Sequence, residues 1–168
     1  MIVAGIGCRT GVVAEAVVAL VQEAGALVAK IVIPGLVPGT DPFGRRDGVE
    51  APHRVGPRNE CAGDEVMSVL AVPAFRQGER GIAEAAKRLN LPILWIERDA
   101  LRGEQGRCLT RSARAEAEVG LSCVAEAAAL FAAGPGSRLI LPRIVGGGVT
   151  CAFAEGPAPR APAEGLGI

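Results

Sequence analysis

The chain opens Met1-Ile2-Val3-Ala4-Gly5-Ile6-Gly7-Cys8-Arg9-Thr10-Gly11, and the reading of this stretch decides the fold. Ile2 to Ile6 form a short apolar run, as a strand buried on both faces requires. Gly5 and Gly7 permit a turn or a close backbone approach where a side chain would clash. Thr10 reads as the N-cap of an amphipathic helix that starts near Val12. The result is strand, glycine turn and helix N-terminus, with Cys8 and Arg9 held at the turn. Free amides at a helix start favour anions, and Arg9 strengthens that preference.

Working outward, Val12 to Ala24 carry a solvated stripe at Glu15, Gln22 and Glu23, and Gly25 marks the expected stop of this helix. Leu27 to Ile33 fits either a strand or an apolar lead into the next segment. Five of the 12 prolines then fall between Pro34 and Pro57, interspersed with glycines, so residues 26–64 read as a mobile insertion. Regular structure resumes with strand Val66 to Val72, helix Glu79 to Asn90 and strand Leu91 to Ile96. Trp95, in the last of these, reads as core rather than as a ligand platform. Arg98 to Leu101 predict a helical turn, Gly103 to Thr110 a loop, and Ser112 to Val119 and Val124 to Ala133 two helices. Leu139 to Leu141 and Val149 to Ala154 are strands joined across Gly146-Gly147-Gly148, a spacing too short for a helical crossover. Residues 155–168 read as a disordered tail.

This alternation predicts an α/β protein of three layers, α/β/α, over residues 1–154, with a mainly parallel mixed sheet and a C-terminal antiparallel hairpin. Ligands on such sheets sit beyond the carboxyl ends of the strands. Net charge is zero across 168 residues, with 18 basic and 18 acidic side chains, which favours neither nucleic acid nor an anionic membrane. No run approaches the roughly 18 apolar residues of a membrane span and no leader pattern appears, so a cytoplasmic protein is expected. The five cysteines make no Cys-x-x-Cys pair and His53 is the single histidine, so neither a metal site nor a cofactor is expected and reduced thiols are the default.

Gly5, Gly7 and Gly11 give Gly-x-Gly-x-x-x-Gly, one residue longer than the dinucleotide fingerprint, and no Gly-Lys-Ser/Thr is present. A stronger pattern appears at the strand ends. Arg9 follows the first strand, Arg76 the second and Arg143 the Leu139 to Leu141 strand. On parallel strands these guanidiniums converge on one rim suited to a ligand with several carboxylates or phosphates. Thr110 and Arg111 precede a helix and extend the set. Cys8, beside Arg9 at a helix start, is the thiol placed for a lowered pKa and so for nucleophilic chemistry, with packing as its other reading. Glu79 is either a first-turn helix acid or a site acid. Glu126, three residues after Cys123, reads as a capping-box acid with Cys123 as N-cap.

Several segments together resemble the cobalamin-biosynthesis CobE proteins and the C-terminal domain of CbiG. They are Gly5-Ile6-Gly7-Cys8-Arg9, Gly78-Glu79-Arg80-Gly81-Ile82, Leu91-Pro92, Val124-Ala125-Glu126-Ala127-Ala128-Ala129-Leu130 and Gly147-Gly148-Val149-Thr150. They occur in family order over residues 1–25 and 65–154. The family more often carries Lys at the positions of Arg76 and Arg143, and Pro-Ser where this chain has Ser122-Cys123. The resemblance implies an α/β/α domain that acts in corrin-ring construction on a polycarboxylate tetrapyrrole, beside other cobalamin-pathway enzymes. It points to the stand-alone CobE type, in an accessory or carrier role. Arg9, Arg76, Thr110, Arg111 and Arg143 would meet carboxylates, and Gly5, Gly7, Gly147, Gly148 and Thr150 would allow close approach. A second reading is a hydrolase that opens the ring lactone of a cobalt-precorrin with Cys8 or Glu79. A third, of another class, is a phosphate- or nucleotide-binding α/β protein.

Overall fold

A computed structural model of the chain describes residues 1–32 and 67–157, with side chains described from residue 67 and up to residue 30. Five strands form one sheet in the order β3-β2-β1-β5-β4. These are β1 (Ile2–Cys8), β2 (Met67–Pro73), β3 (Ile93–Ile96), β4 (Arg138–Gly146) and β5 (Val149–Glu155). β1, β2 and β3 pair in parallel, while β5 runs antiparallel to both β1 and β4. Four strands therefore point one way, and the reversed strand lies inside the sheet, with β4 at the edge.

Helices α1 (Ala14–Val32) and α2 (Arg80–Leu89) cover one face, and α3 (Arg98–Glu104) and α5 (Ala125–Ala133) the other. The short α4 (Ala113–Val119) carries no buried residue. The three-layer architecture is the one its alternating pattern predicts. Along β1, Ile2, Ala4 and Ile6 join the core beneath α1 and α2, and Val3 joins the core beneath α5. A Cβ on Gly5 would stand 2.0 Å from the Ala125 carbonyl oxygen of α5. Gly5 and Gly7 are strand residues and not turn residues. The first lets a helix rest on the sheet backbone, and the second makes room for Thr150, whose Oγ1 would be 2.6 Å from a Cβ at Gly7.

α1 differs from expectation at both ends. It begins at Ala14, so Thr10 is not its cap, and it runs through Gly25 to Val32. Val17, Leu20, Val21, Ala24 and Val28 keep one face buried across the glycine. Extending that face outweighs the cost of about 1 kcal/mol that glycine brings to a helix interior. Residues 26–32, read from sequence as the start of an insertion, continue this helix. The remaining insertion residues, with His53 and Cys61, and residues 158–168 of the expected tail lie outside the described residues. Glu155 and the adjoining Gly156 belong to the folded sheet end, where the Met1 ammonium donates to the Gly156 carbonyl at 3.1 Å.

β4 is longer than its apolar core predicts. Its pairing with β5 slips between Leu139 and Leu141 and again between Leu141 and Ile144. These irregularities admit Pro142, which has no N–H to give the ladder. The hairpin closes through Gly147 and Gly148 at φ +59° and +78°, the conformation that a two-residue loop favours and that glycine adopts freely. Trp95 packs against the α1/α2 core, as read from sequence.

Candidate functional site

β1 and β2 end on the same side of the sheet, and the reversed β5 begins there. Cys8 and Arg9 leave β1. Pro73 leaves β2 into a single 3-10 turn, Ala74–Arg76, that carries Phe75 and Arg76. Gly148 and Thr150 lead into β5, and α4 stands across the opening. Between these lies a cleft, open to solvent, lined by Arg9, Arg76, Arg114 and Arg143 together with the apolar side chains of Phe75, Val119 and Val124. The three arginines singled out at strand ends thus share one cleft, although Arg143 lies within β4 and not beyond it.

Each arginine is set differently. The Arg9 amide donates to the Gly148 carbonyl at 3.2 Å. Its guanidinium lies over the hairpin, where a Cβ on Gly148 would be 2.5 Å from Nη2. Arg76 donates from Nη1 to Thr10 Oγ1 at 2.8 Å and stands 4.0 Å from Glu79 Oε1. Its Nε is buried without a hydrogen-bond partner among the described residues. Arg76 and Arg98 both lie over the Phe75 ring, 5.6 and 5.1 Å from its centre. Arg114 pairs with Glu118 one helical turn on, at 2.8 Å.

Arg143 is placed through its backbone. At the second slip in the β4–β5 ladder its amide turns away from β5 and donates to Glu126 Oε1 at 3.0 Å. Glu126 is fully buried in α5 and also accepts from the Thr110 hydroxyl at 2.9 Å, the Thr110 amide at 3.0 Å and the Leu109 amide at 2.6 Å. Burial pushes the Glu126 carboxyl up, but the Arg143 and Thr110 amides, the Thr110 hydroxyl and the Leu109 amide together outweigh it and hold the carboxyl below its ordinary value. Glu126 is therefore not a capping-box acid. Val124 and not Cys123 occupies the N-cap, and Cys123 gives its amide to Gln105 Oε1 at 3.0 Å.

Cys8 lines the cleft, but its chemistry is the reverse of that expected from a helix start. Burial dominates the nearby Arg76, and the thiol is pushed up to about 11, with Glu79 adding to the rise. It is a neutral thiol at neutral pH. Glu79 faces behind the cleft, where its Oε2 accepts from the Gly11 amide at 2.9 Å. That contact ties the turn after β1 to the turn before α2.

The other sequence candidates divide. Gly7, Gly148 and Thr150 line the cleft, and Thr150 Oγ1 donates to the Gly7 carbonyl at 3.1 Å. Gly5 lies beneath α5, and Gly147 packs on Ala16 at the hairpin turn. Thr110 serves Glu126, and Arg111 is exposed and outside the cleft lining. Sequence reasoning missed Phe75, Arg114, Val119 and Val124. Phe75 had one available signal, its place beside Arg76 immediately after a strand.

The comparisons agree with this architecture. The family described as "Cobalamin synthesis G C-terminus" matches residues 57–154. The crystal structure of CobE, a protein from the cobalamin (vitamin B12) biosynthetic pathway, is similar at 25% identity and a TM-score of 0.66, over 95% of this chain and 93% of that one. The cobalamin biosynthesis protein chiG from Agrobacterium tumefaciens is similar at 30% identity and a TM-score of 0.60, over 94% of this chain and 99% of that one. A putative cobalamin biosynthesis protein G homolog from Sulfolobus solfataricus shares the fold at 18% identity and a TM-score of 0.53, the match spanning 36% of its length. No curated protein matches. Among the described residues, no helix is long and apolar enough to cross a membrane. With the family match covering more than half of the chain and the chiG similarity running nearly end to end, the chain belongs to the cobalamin synthesis G C-terminal family of cobalamin biosynthesis.

Proposed function

We propose that the cleft binds a polycarboxylate tetrapyrrole precursor of cobalamin, in an accessory or carrier role beside the pathway's enzymes. One observation carries the reading: Arg9, Arg76 and Arg143, from three different strand regions, line a single cleft together with apolar side chains. A flat macrocycle with acidic side chains has the same division, with an apolar face and a charged rim. Guanidinium groups meet carboxylates in a planar fork, and a cleft open to solvent admits a ligand that stays partly outside it. The unpartnered Arg76 Nε supports the reading, because a buried donor without an acceptor costs stability that a bound carboxylate would recover.

Binding is favoured over lactone hydrolysis because the Cys8 thiol is neutral and the Glu79 carboxylate is committed to Gly11. The same contact takes the Gly11 amide and so weighs against phosphate held in the glycine turn after β1. A titration with a corrin bearing free carboxylates, followed by its own absorbance, tests the proposal. Trp95 is unsuited as the reporter because it packs on the opposite face of the sheet. Saturable binding is expected to weaken about ten-fold in Arg143→Ala or Arg9→Ala, and to weaken further as salt screens the charges. Binding indifferent to both substitutions would move the ligand elsewhere, and product formed from the corrin would replace the carrier role with catalysis.

A further inference from the structure

Cys108 and Cys123 bring their sulfurs within 4.8 Å of one another at the foot of α4. Cys108 is half-buried, follows a second 3-10 turn, Gln105–Arg107, and donates weakly to the Glu104 carbonyl at 3.4 Å. Cys123 is fully buried and held on both sides of its backbone by the Gln105 amide, which accepts from its N–H and donates to its carbonyl at 2.9 Å. One sulfur thus sits at the start of α5 and the other between the 3-10 turn and the 109–110 loop that Glu126 holds. The third group of the cluster, Glu126, has no capacity left to hold an ion with them, since its two oxygens already accept four hydrogen bonds.

The chain between the two sulfurs makes the pair consequential. It contains Ser112 and the helix α4 that Ser112 caps, which together wall the cleft through Ser112, Ala115, Glu118 and Val119, yet α4 carries no buried residue. This excursion is tied at its foot, where the Ser112 amide donates to the Ser122 carbonyl at 2.7 Å and Thr110 meets Glu126.

We propose that Cys108 and Cys123 form a reversible disulfide under a peroxide-class oxidant, stapling the foot of the α4 excursion to the start of α5. The Cys123 thiolate, favoured by the Cys108 thiol beside it, attacks a peroxide oxygen; the O–O bond breaks, a sulfenic acid forms, and the departing hydroxide takes the proton Cys123 gave up and leaves as water. The Cys108 sulfur then attacks the Cys123 sulfur. The S–O bond breaks, and the departing hydroxide leaves as a second water with the Cys108 proton. Two thiols are oxidised and one peroxide is reduced to two waters. By contrast, burial pushes Cys8 up to about 11 and Cys151 up to about 12, so both stay protonated.

The full chain treated with one equivalent of hydrogen peroxide is expected to lose about 2 Da, restored by dithiothreitol. Without reduction, trypsin is expected to release the peptide 108–111 linked to the peptide 115–138. Closing a loop of this length predicts a melting temperature higher by about 5 °C in the oxidised chain. Slower hydrogen exchange is expected across residues 109–122. Cys108→Ser is expected to abolish the linked peptides and the thermal shift together. Oxygen adducts without those linked peptides, or links confined to other cysteines, would overturn the proposal. Linked peptides without slower exchange at 109–122 would overturn the stapling role.

Discussion

Glu126 shows how a single buried charge can set a site it does not enter. Its four donors come from two chain segments, the 109–110 loop and β4, so removing the carboxylate orphans amides in both. Glu126→Ala is expected to cost about 3 kcal/mol in urea unfolding and to loosen Arg143, with the same loss of the proposed corrin binding that is expected of Arg143→Ala. The acid range offers a finer test. Because the folded carboxyl sits below its ordinary value of 4.5, its contribution is complete above that pH. The contribution disappears as pH falls through the lower folded value. The melting-temperature gap between the native chain and Glu126→Gln is therefore expected to be widest near neutrality and to close at the acid end. A gap that stays constant with pH would mean that the carboxylate charge does not contribute. Glu126 was visible in the sequence only as a candidate cap, because spacing reports neighbours along the helix. Its actual donors lie 16 and 17 positions away in sequence.

At the scale of elements, the two faces of the sheet obey different packing rules. Ile2, Ile6, Val149, Cys151 and Phe153 fill the α1/α2 face, whereas α5 meets Val3 and Ala154 and rests on Gly5 with its own alanines. Gly5→Ala is expected to destabilise the protein by about 3 kcal/mol in denaturant unfolding, since the added methyl meets α5 backbone that cannot step aside. Gly25→Ala, where a Cβ meets nothing within 4 Å, is expected to stabilise α1 by up to about 1 kcal/mol. The contrast explains what was legible. Among the described residues, periodicity located every strand and nearly every helix, because burial repeats along the chain. A glycine, however, reads alike in a turn, in a helix and beneath another helix, so Gly5 and Gly7 were legible only as a turn or a close approach, of which the close approach holds, and Gly25 was read as a helix stop. β4 was cut short for a related reason: Pro142 breaks an ideal strand, and only the slipped pairing with β5 makes room for it.

For the whole molecule, topology assembles the arginine rim more than any local motif does. Reversing β5 between β1 and β4 delivers the Gly147–Gly148 turn to the end where β1 and β2 finish, so strand ends and hairpin face one cleft. The strand-end rule found Arg9 and Arg76 directly. It reached Arg143 although β4 continues past it, because the slipped ladder turns that residue out. The same reversal sets the mechanical character of the fold. Met1 and Gly156 sit side by side at the far end of the sheet, exchanging hydrogen bonds at 3.1 Å in both directions. Tension applied between them runs across the β1–β5 ladder and not along it, so its bonds are loaded one after another from Ile2 and Glu155 inward. In an optical trap the chain held at these two residues is expected to unzip at low force, with the cleft end the last part of that seam to open. Attachment at Met1 and Gly146 instead is expected to require a larger force.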